Sequence, residues 1–449
     1  MDKIPPEIVY IICSQLGNDD IRNFRLVNKL FAEVGAAYML PHVSFYMRQK
    51  ELDRLEAISL HPIFSKHVIS LTYYPETVAS PKFTLCEFLR DHQKRMRWNG
   101  TLRASPRQLL AQYKQYTDIV DEQGKLIKKQ KDTSVLKAVL PRFPKLEAVV
   151  MSTGQWRFDP GLCVRRKSPF PEFPGHGYMN DSFPEGKRQL DALLMANAHS
   201  PCAFTSLRAG TLHWRFFKRT ERELRLMFQP LAGLTSIDLS IGIEPPIRIR
   251  EANSHRKCQR LLARGVIRNI LKNLLQLQSL RIEIENPEEK EDGKGAALRD
   301  IIEPGFRWPN LKDVTLCGIE SNRAELMSVF MLHRDTLRRL CLRDIDLIST
   351  SWRKLLPDIR KNLCLEDACI CGQIYGQTED EDEMQEGWEW DGFTEYWENR
   401  NIKEAVNGGI QSTCTVDKAG RSTQMRCPWY DLKACLESAL LVYTYASYP

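Results

Sequence analysis

Seven times between residues 68 and 342 the chain repeats one spacing, apolar-x-x-apolar-x-apolar. The clear copies are Leu146/Val149/Met151, Leu234/Ile237/Leu239, Leu277/Leu280/Ile282, Leu311/Val314/Leu316 and Leu337/Leu340/Leu342; Val68/Leu71/Tyr73 and Phe204/Leu207/Ala209 are weaker ones. In each, the last two apolar residues flank one variable residue, which puts both on the same face of a short strand. Helical patterns precede several strands: Val266, Ile270, Leu271 and Leu274 recur at helical spacing, as do Leu326, Val329 and Phe330. The pattern predicts an α/β chain. At 449 residues it exceeds what one hydrophobic core usually supports, so an elongated repeat or more than one domain is expected.

A strand and a helix repeated in this way resemble the leucine-rich repeat, in which parallel strands line one face and helices or loops cover the other. The resemblance implies a solenoid, and an irregular one. The copies start at 68, 146, 204, 234, 277, 311 and 337, and only the last interval falls within the roughly 20–29 residues of a regular repeat. Ile319 and Ile345 stand where that family usually places a buried Asn or Cys, so no Asn ladder is expected. The long intervals read as insertions. Residues 82–135 look helical and basic, while 152–187 read as a loop rich in Pro, Gly and aromatics, among them Trp156, Phe158, Phe170, Phe173, Tyr178 and Phe183, expected to fold back as a lid on the repeats, with a recognition surface as the alternative. Short apolar triplets also occur in other α/β folds, and spacing alone does not separate these from a solenoid.

Residues 1–45 follow a different pattern. Pro5 and Pro6 can open a first helix and Gly17 can close it, with Ile8, Ile11, Ile12 and Leu16 on one face. Asn18 or Asp19 offers an N-cap for a second helix carrying Ile21, Phe24 and Val27. Asn28 can cap a third, with Phe31, Val34, Gly35 and Tyr38 on one side, and Pro41 stops it. Helices this short bury little surface, and a unit of about 40 residues normally needs a staple or a partner. Val9, Ile12 and Leu16 make a second apolar stripe on the first helix, surplus to the cluster's own core.

The stretch Ile4-Pro5-Pro6-Glu7-Ile8, then Ile11-Ile12, Leu16, Asp20-Ile21 and Arg25-Leu26-Val27-Asn28-Lys29-Leu30-Phe31, resembles the F-box, a helical module that docks on the Skp-type adaptor of cullin-based ubiquitin ligases. The family usually begins Leu-Pro, later has Asp-Leu and ends Cys-x-x-Trp; here Ile4, Ile21, Asn28 and Phe31 take those places, and Phe31 offers less area than Trp and no N–H donor. Position by position, the resemblance implies that Pro5, Ile8, Ile12, Leu16, Leu26, Val27 and Phe31 supply the adaptor-facing or supporting surface. Fungal-type F-box proteins often join this module to repeats. The implied protein is the substrate-recognition subunit of an SCF-type ligase: the N-terminal helices bind the adaptor and its cullin complex, residues 46–375 bind an unknown target protein, and ubiquitin transfer proceeds by proximity without a catalytic residue in this chain. The alternative is an interaction scaffold in which the helical trio merely caps the repeats.

No apolar run approaches the ~20 residues of a membrane span, so no membrane partner is expected. The start, Met1 to Glu7, lacks a signal or transit pattern, which points to the cytoplasm or nucleus. Thirteen scattered cysteines suit reduced thiols, not a disulfide framework. Cys364, Cys369 and Cys371 lack the twice-paired spacing of structural zinc and read as buried thiols; no metal or cofactor is expected. The net charge of +7 hides two opposed regions. Residues 82–145 hold 15 basic and 6 acidic side chains, whereas 376–399 hold 10 acidic and no Lys or Arg. Lys125, Lys128, Lys129 and Lys131 near Tyr113 and Tyr116 raise nucleic-acid binding as a rival, but they are spread along helical surface without a recognition motif. Residues 376–449 join the acidic run to Trp388, Trp390, Phe393, Tyr396 and Trp397, a mixture expected to pack across the repeat face or edge, while Cys427-Pro428-Trp429-Tyr430 and an apolar helix near Leu436 to Val442 are expected to cap the far end.

Overall fold

A computed structural model describes residues 4–74, 77, 83–90, 93, 105–151, 186–199, 204–242, 254–284, 296–350, 352–371, 375 and 376. The chain divides into two compact units, Met1–Gly154 with Arg166–Leu234, and Gln155–Arg165 with Thr235–Pro449. Both are α/β with parallel strands. The expected aromatic loop lies outside the described residues but for 186 and 187, as does the acidic C-terminal segment beyond Gly376.

The first unit opens with α1 (Pro6–Gln15), α2 (Asn18–Phe24) and α3 (Lys29–Met39). Strands β1 (His42–Tyr46), β2 (Ser70–Tyr74), β3 (Ala148–Met151) and β4 (Ser206–His213) then lie side by side in chain order, all parallel. Register explains the repeated spacing. Val43, Leu71, Val149 and Leu207 form one row and Phe45, Tyr73, Met151 and Ala209 the next, all 2% exposed or less. Between the strands run α4 (Gln49–Leu60), α5 (Pro106–Lys128), α6 (Lys131–Val139) and α7 (Lys187–His199), and α8 (Glu221–Phe228) follows β4. Helix α5 starts on a capping box between Ser105 and Gln108, and Glu122 on its inner side binds Arg48 (2.8 Å) and the Gln49 N–H (2.6 Å) at the β1–α4 turn.

One buried ion pair ties this unit together. Asp132, fully buried in the first turn of α6, accepts two bonds from the Arg188 guanidinium of α7 (2.6 Å each) and one from the Tyr73 hydroxyl of β2 (2.8 Å). Burial works against the Arg188 charge, but the bonds and attraction from Asp132 hold its pKa above the ordinary value; burial and then the Asp132 charge push the Tyr73 phenol well up. Neither group titrates near neutrality, so the cluster acts as a lock between a strand and two helices.

The second unit repeats the arrangement with β5 (Ser236–Gly242), β6 (Ser279–Ile284), β8 (Asp313–Cys317), β10 (Arg339–Arg343) and β12 (Asp367–Cys371), in that spatial order and parallel. Its rows are Ile237, Leu280, Val314, Leu340 and Ala368, then Leu239, Ile282, Leu316, Leu342 and Ile370, each 3% exposed or less. A narrower parallel ladder runs beside it through β7 (Ala296–Ala297), β9 (Ile319–Ser321), β11 (Asp346–Leu347) and β13 (Tyr375–Gly376). The turns from β8 to β9 and from β10 to β11 pass through left-handed backbone at Gly318 (φ 68°) and Asp344 (φ 49°), residue types that tolerate it. Ile319 and Ile345 follow, both fully buried, so an apolar contact fills the expected Asn or Cys position. Helices α9 (Ser254–Leu262), α10 (Val266–Leu271), α11 (Leu298–Ile301), α12 (Arg323–Leu332) and α13 (Trp352–Asn362) connect these strands. Arg268 pairs with Glu303, Arg299 with Glu325 and Arg323 with Asp358, linking one repeat to the next on its helical side.

Strand entry follows one backbone rule. A single carbonyl in the preceding repeat accepts two successive N–H groups: Pro41 from Ile69 and Ser70, Gln278 from Lys312 and Asp313, Arg338 from Glu366 and Asp367. The same spacing also occurs at Leu40/Val43/Phe45 and Leu365/Ala368/Ile370, so among the described residues the repeats extend one strand further at each end than the seven sequence copies. Strand β1 straddles the boundary placed at residue 45.

Trp308 and His333 share a buried site in this second unit. The Trp308 backbone N–H donates to His333 Nε2 (2.9 Å), and His333 Nδ1 lies 2.8 Å from the Val329 carbonyl, which fits a neutral ring protonated on Nδ1. Burial lowers the His333 pKa below 6.5. The unfolded imidazole therefore takes a proton that the folded one resists, and stability should fall as pH drops from 6.5 through the folded pKa. Urea midpoints at pH 7.5 and pH 5 should differ more in the wild-type protein than in His333→Gln; an unchanged difference would remove His333 from the account.

Candidate functional site

Helix α1 has Pro6 at its first position and Glu7 in its first turn, both suited to a helix start. Its inward side is Val9 and Cys13, one turn apart, which close on Phe31 and Val34 of α3. Ile4, Phe24, Leu30 and Tyr38 surround this small core, and Phe24 stacks on Phe31 with ring centroids 4.3 Å apart. Asn28 caps α3 as expected, its side-chain oxygen accepting the Phe31 N–H (2.9 Å). The cap of α2 differs by one residue: Gly17 holds the N-cap position, and its carbonyl accepts the Ile21 N–H.

The α2–α3 turn is pinned from both sides. Arg25 Nε donates to the Ala32 carbonyl (3.1 Å), and the Arg25 guanidinium sits over the Phe64 ring of the first repeat (5.6 Å). Gly35 makes room for this arginine, since a Cβ there would lie 2.5 Å from Arg25 Cγ. Between Arg25 and the Asn28 cap stand Leu26, 85% exposed, and Val27, 52% exposed.

The seven residues implied by the F-box resemblance thus separate into three kinds. Pro5, Ile8, Leu26 and Val27 are exposed, Ile12 and Leu16 are half-buried, and Phe31 is a core residue that supports the turn without facing solvent. The surplus stripe on α1 is also not the expected one. Val9 is fully buried, while Ile8, Tyr10 and Ile11 face outward, because pairing Val9 with Cys13 against α3 rotates the helix so that Ile8 and Ile11 turn away. Tyr10 and Ile11 extend the exposed apolar surface, and the apolar character of Cys13 is the sequence signal for the rotation. Of twelve large, exposed hydrophobic side chains among the described residues, five are Ile8, Tyr10, Ile11, Leu26 and Val27.

Other chemistries find less here. Tyr116 is buried and Tyr113 is half-buried with its hydroxyl donating to the Phe83 carbonyl, so neither ring is presented for stacking on a base. Among the described residues no group of three or more His, Cys, Asp and Glu converges as a metal site, and no helix is long and apolar enough to cross a membrane.

No family model matches the chain, and no curated protein matches it. Among solved structures it is similar to a leucine-rich repeat-containing protein of Legionella pneumophila, at 10% identity over 82% of this chain and 99% of that one, with a TM-score of 0.28. So loose a superposition adds nothing to the register and burial described above.

Proposed function

We propose that this protein is the substrate receptor of a cullin-based ubiquitin ligase, its N-terminal helices docking on a Skp-type adaptor and its leucine-rich-repeat-like units binding a target protein. The observation that carries the reading is Leu26: a leucine 85% exposed on a turn held by an arginine and a helix cap, with Val27, Ile8 and Ile11 also exposed. Fully covering a side chain of this size contributes about 1.5–3 kcal/mol, so a few of them suffice for a specific complex. The resemblance of residues 4–31 to the F-box supplies the identity of the partner. In this reading the chain does no chemistry; it raises the local concentration of target lysines near a charged conjugating enzyme.

The test is co-purification of the full chain with a Skp-type adaptor. A stoichiometric complex on size exclusion is expected, and separate elution at micromolar concentrations contradicts the proposal. A second reading, the helical trio as an end cap, draws on the contact of Arg25 with Phe64 and on membership of α1–α3 in the first compact unit. It differs in leaving Leu26 without a partner.

A further inference from the structure

The strand face opposite the core carries rows of its own. In the second unit one row runs Asp238, Arg281, Thr315, Cys341 and Cys369, each in register with the next. It begins with an ion pair between Arg281 and Asp238 (3.7 Å) and ends on two thiols. Strand alternation fixes their direction: Leu340, Leu342, Ala368 and Ile370 are buried in the core, so Cys341 and Cys369 turn to the other face, both half-buried and neither in a disulfide. The sequence predicts buried thiols at Cys364 and Cys369, but Cys364 is exposed and Cys369 half-buried.

Neighbouring strands stand about 4.8 Å apart, and parallel residues in register keep their Cβ atoms near that spacing, beyond the roughly 3.5–4.5 Å a disulfide requires. A bridging soft ion relaxes the constraint, since two metal–sulfur bonds of about 2.3 Å span sulfurs up to about 4.6 Å apart. A closed four-ligand zinc centre is not assembled by the described residues. Cys317 on the next strand is also unsuited as a third thiolate: burial pushes its thiol well up, and it donates to Asp344 (3.6 Å). What remains is two thiols in register on adjacent parallel strands.

We propose that Cys341 and Cys369 form a two-thiolate site for a soft monovalent cation of the copper(I) class. Each thiol loses its proton to solvent and forms one sulfur–metal bond; no electron is transferred. The resulting centre carries one negative charge. The site is independent of adaptor docking, so failure of either proposal leaves the other standing.

The test uses the reduced full chain under anaerobic conditions, titrated with copper(I) against a chromophoric copper(I) chelator. Cys341→Ser and Cys369→Ser should each remove the same tight equivalent, the double variant should remove no more, and Cys364→Ser should remove none. On the wild-type protein, bound copper(I) should slow alkylation of Cys341 and Cys369 together by about tenfold or more, since the thiolate is the reactive form. Unchanged stoichiometry in the single variants, or protection of one cysteine without the other, would overturn the site. So would ready formation of a Cys341–Cys369 disulfide with a small oxidised dithiol, because it would show that the strand spacing does not hold the sulfurs apart.

Discussion

Full-length protein carrying Ile8→Asp and Leu26→Asp is expected to lose all detectable capture of a Skp-type adaptor, while its folding stability stays within about 0.5 kcal/mol of wild type. Both side chains are exposed and belong to neither the Val9–Cys13–Phe31–Val34 core nor any hydrogen-bond network, so the folded chain tolerates a carboxylate there. An adaptor surface does not: it would bury each charge unpaired, a cost of several kcal/mol per site. Pro5→Ala with Ile8→Asp should act in the same direction. Val9→Asp or Phe31→Ala would be poor probes, because opening the small core itself costs about 3–5 kcal/mol and confounds docking with collapse. Undiminished capture by the Ile8/Leu26 double variant, measured beside an unchanged urea midpoint, would exclude this surface.

A large effect on stability is expected at Asp132. Asp132→Ala leaves Arg188 without its bidentate partner and Tyr73 without its acceptor. Removing one member of a buried pair costs about 3–5 kcal/mol, and Arg188, whose side chain is a quarter exposed, can recover some hydration, which places the loss near the lower end. Tyr73→Phe, which deletes one hydrogen bond, should cost only about 1 kcal/mol. The pair Asp132→Leu with Arg188→Met should recover much of the loss, since a well-packed apolar pair is often as stable as the ions it replaces. Urea unfolding of the four proteins checks the order; equal losses in Asp132→Ala and the double variant would show that packing, not the unpaired arginine, sets the cost.

Much of the repeat fold was legible because its signal is local. A pair of apolar residues two apart can face only one way on a strand, and every one of the seven copies is buried with its neighbours in register. The outer copies are weaker signals for chemical reasons: Pro41 interrupts Leu40/Val43/Phe45, and Ala368 is a weak apolar signal between Cys364 and Cys369. The lock at Asp132 was invisible, since Tyr73, Asp132 and Arg188 lie 59 and 56 positions apart and nothing local pairs them. On α1 the helix was readable but its rotation was not, because Val9–Cys13 and Ile8–Ile11–Ile12 offer competing apolar faces and only the partner helix decides between them. The two-thiol row likewise depends on register between strands that start 28 residues apart.

The central claim concerns which surface an adaptor covers, and amide hydrogen exchange on the full chain, with and without a saturating Skp-type adaptor, tests it most directly. The account expects new protection confined to residues 5–27, strongest at the Leu26–Val27 turn and the exposed side of α1, with exchange in the repeats unchanged. Protection elsewhere with none at Leu26, or no protection at all, would contradict it.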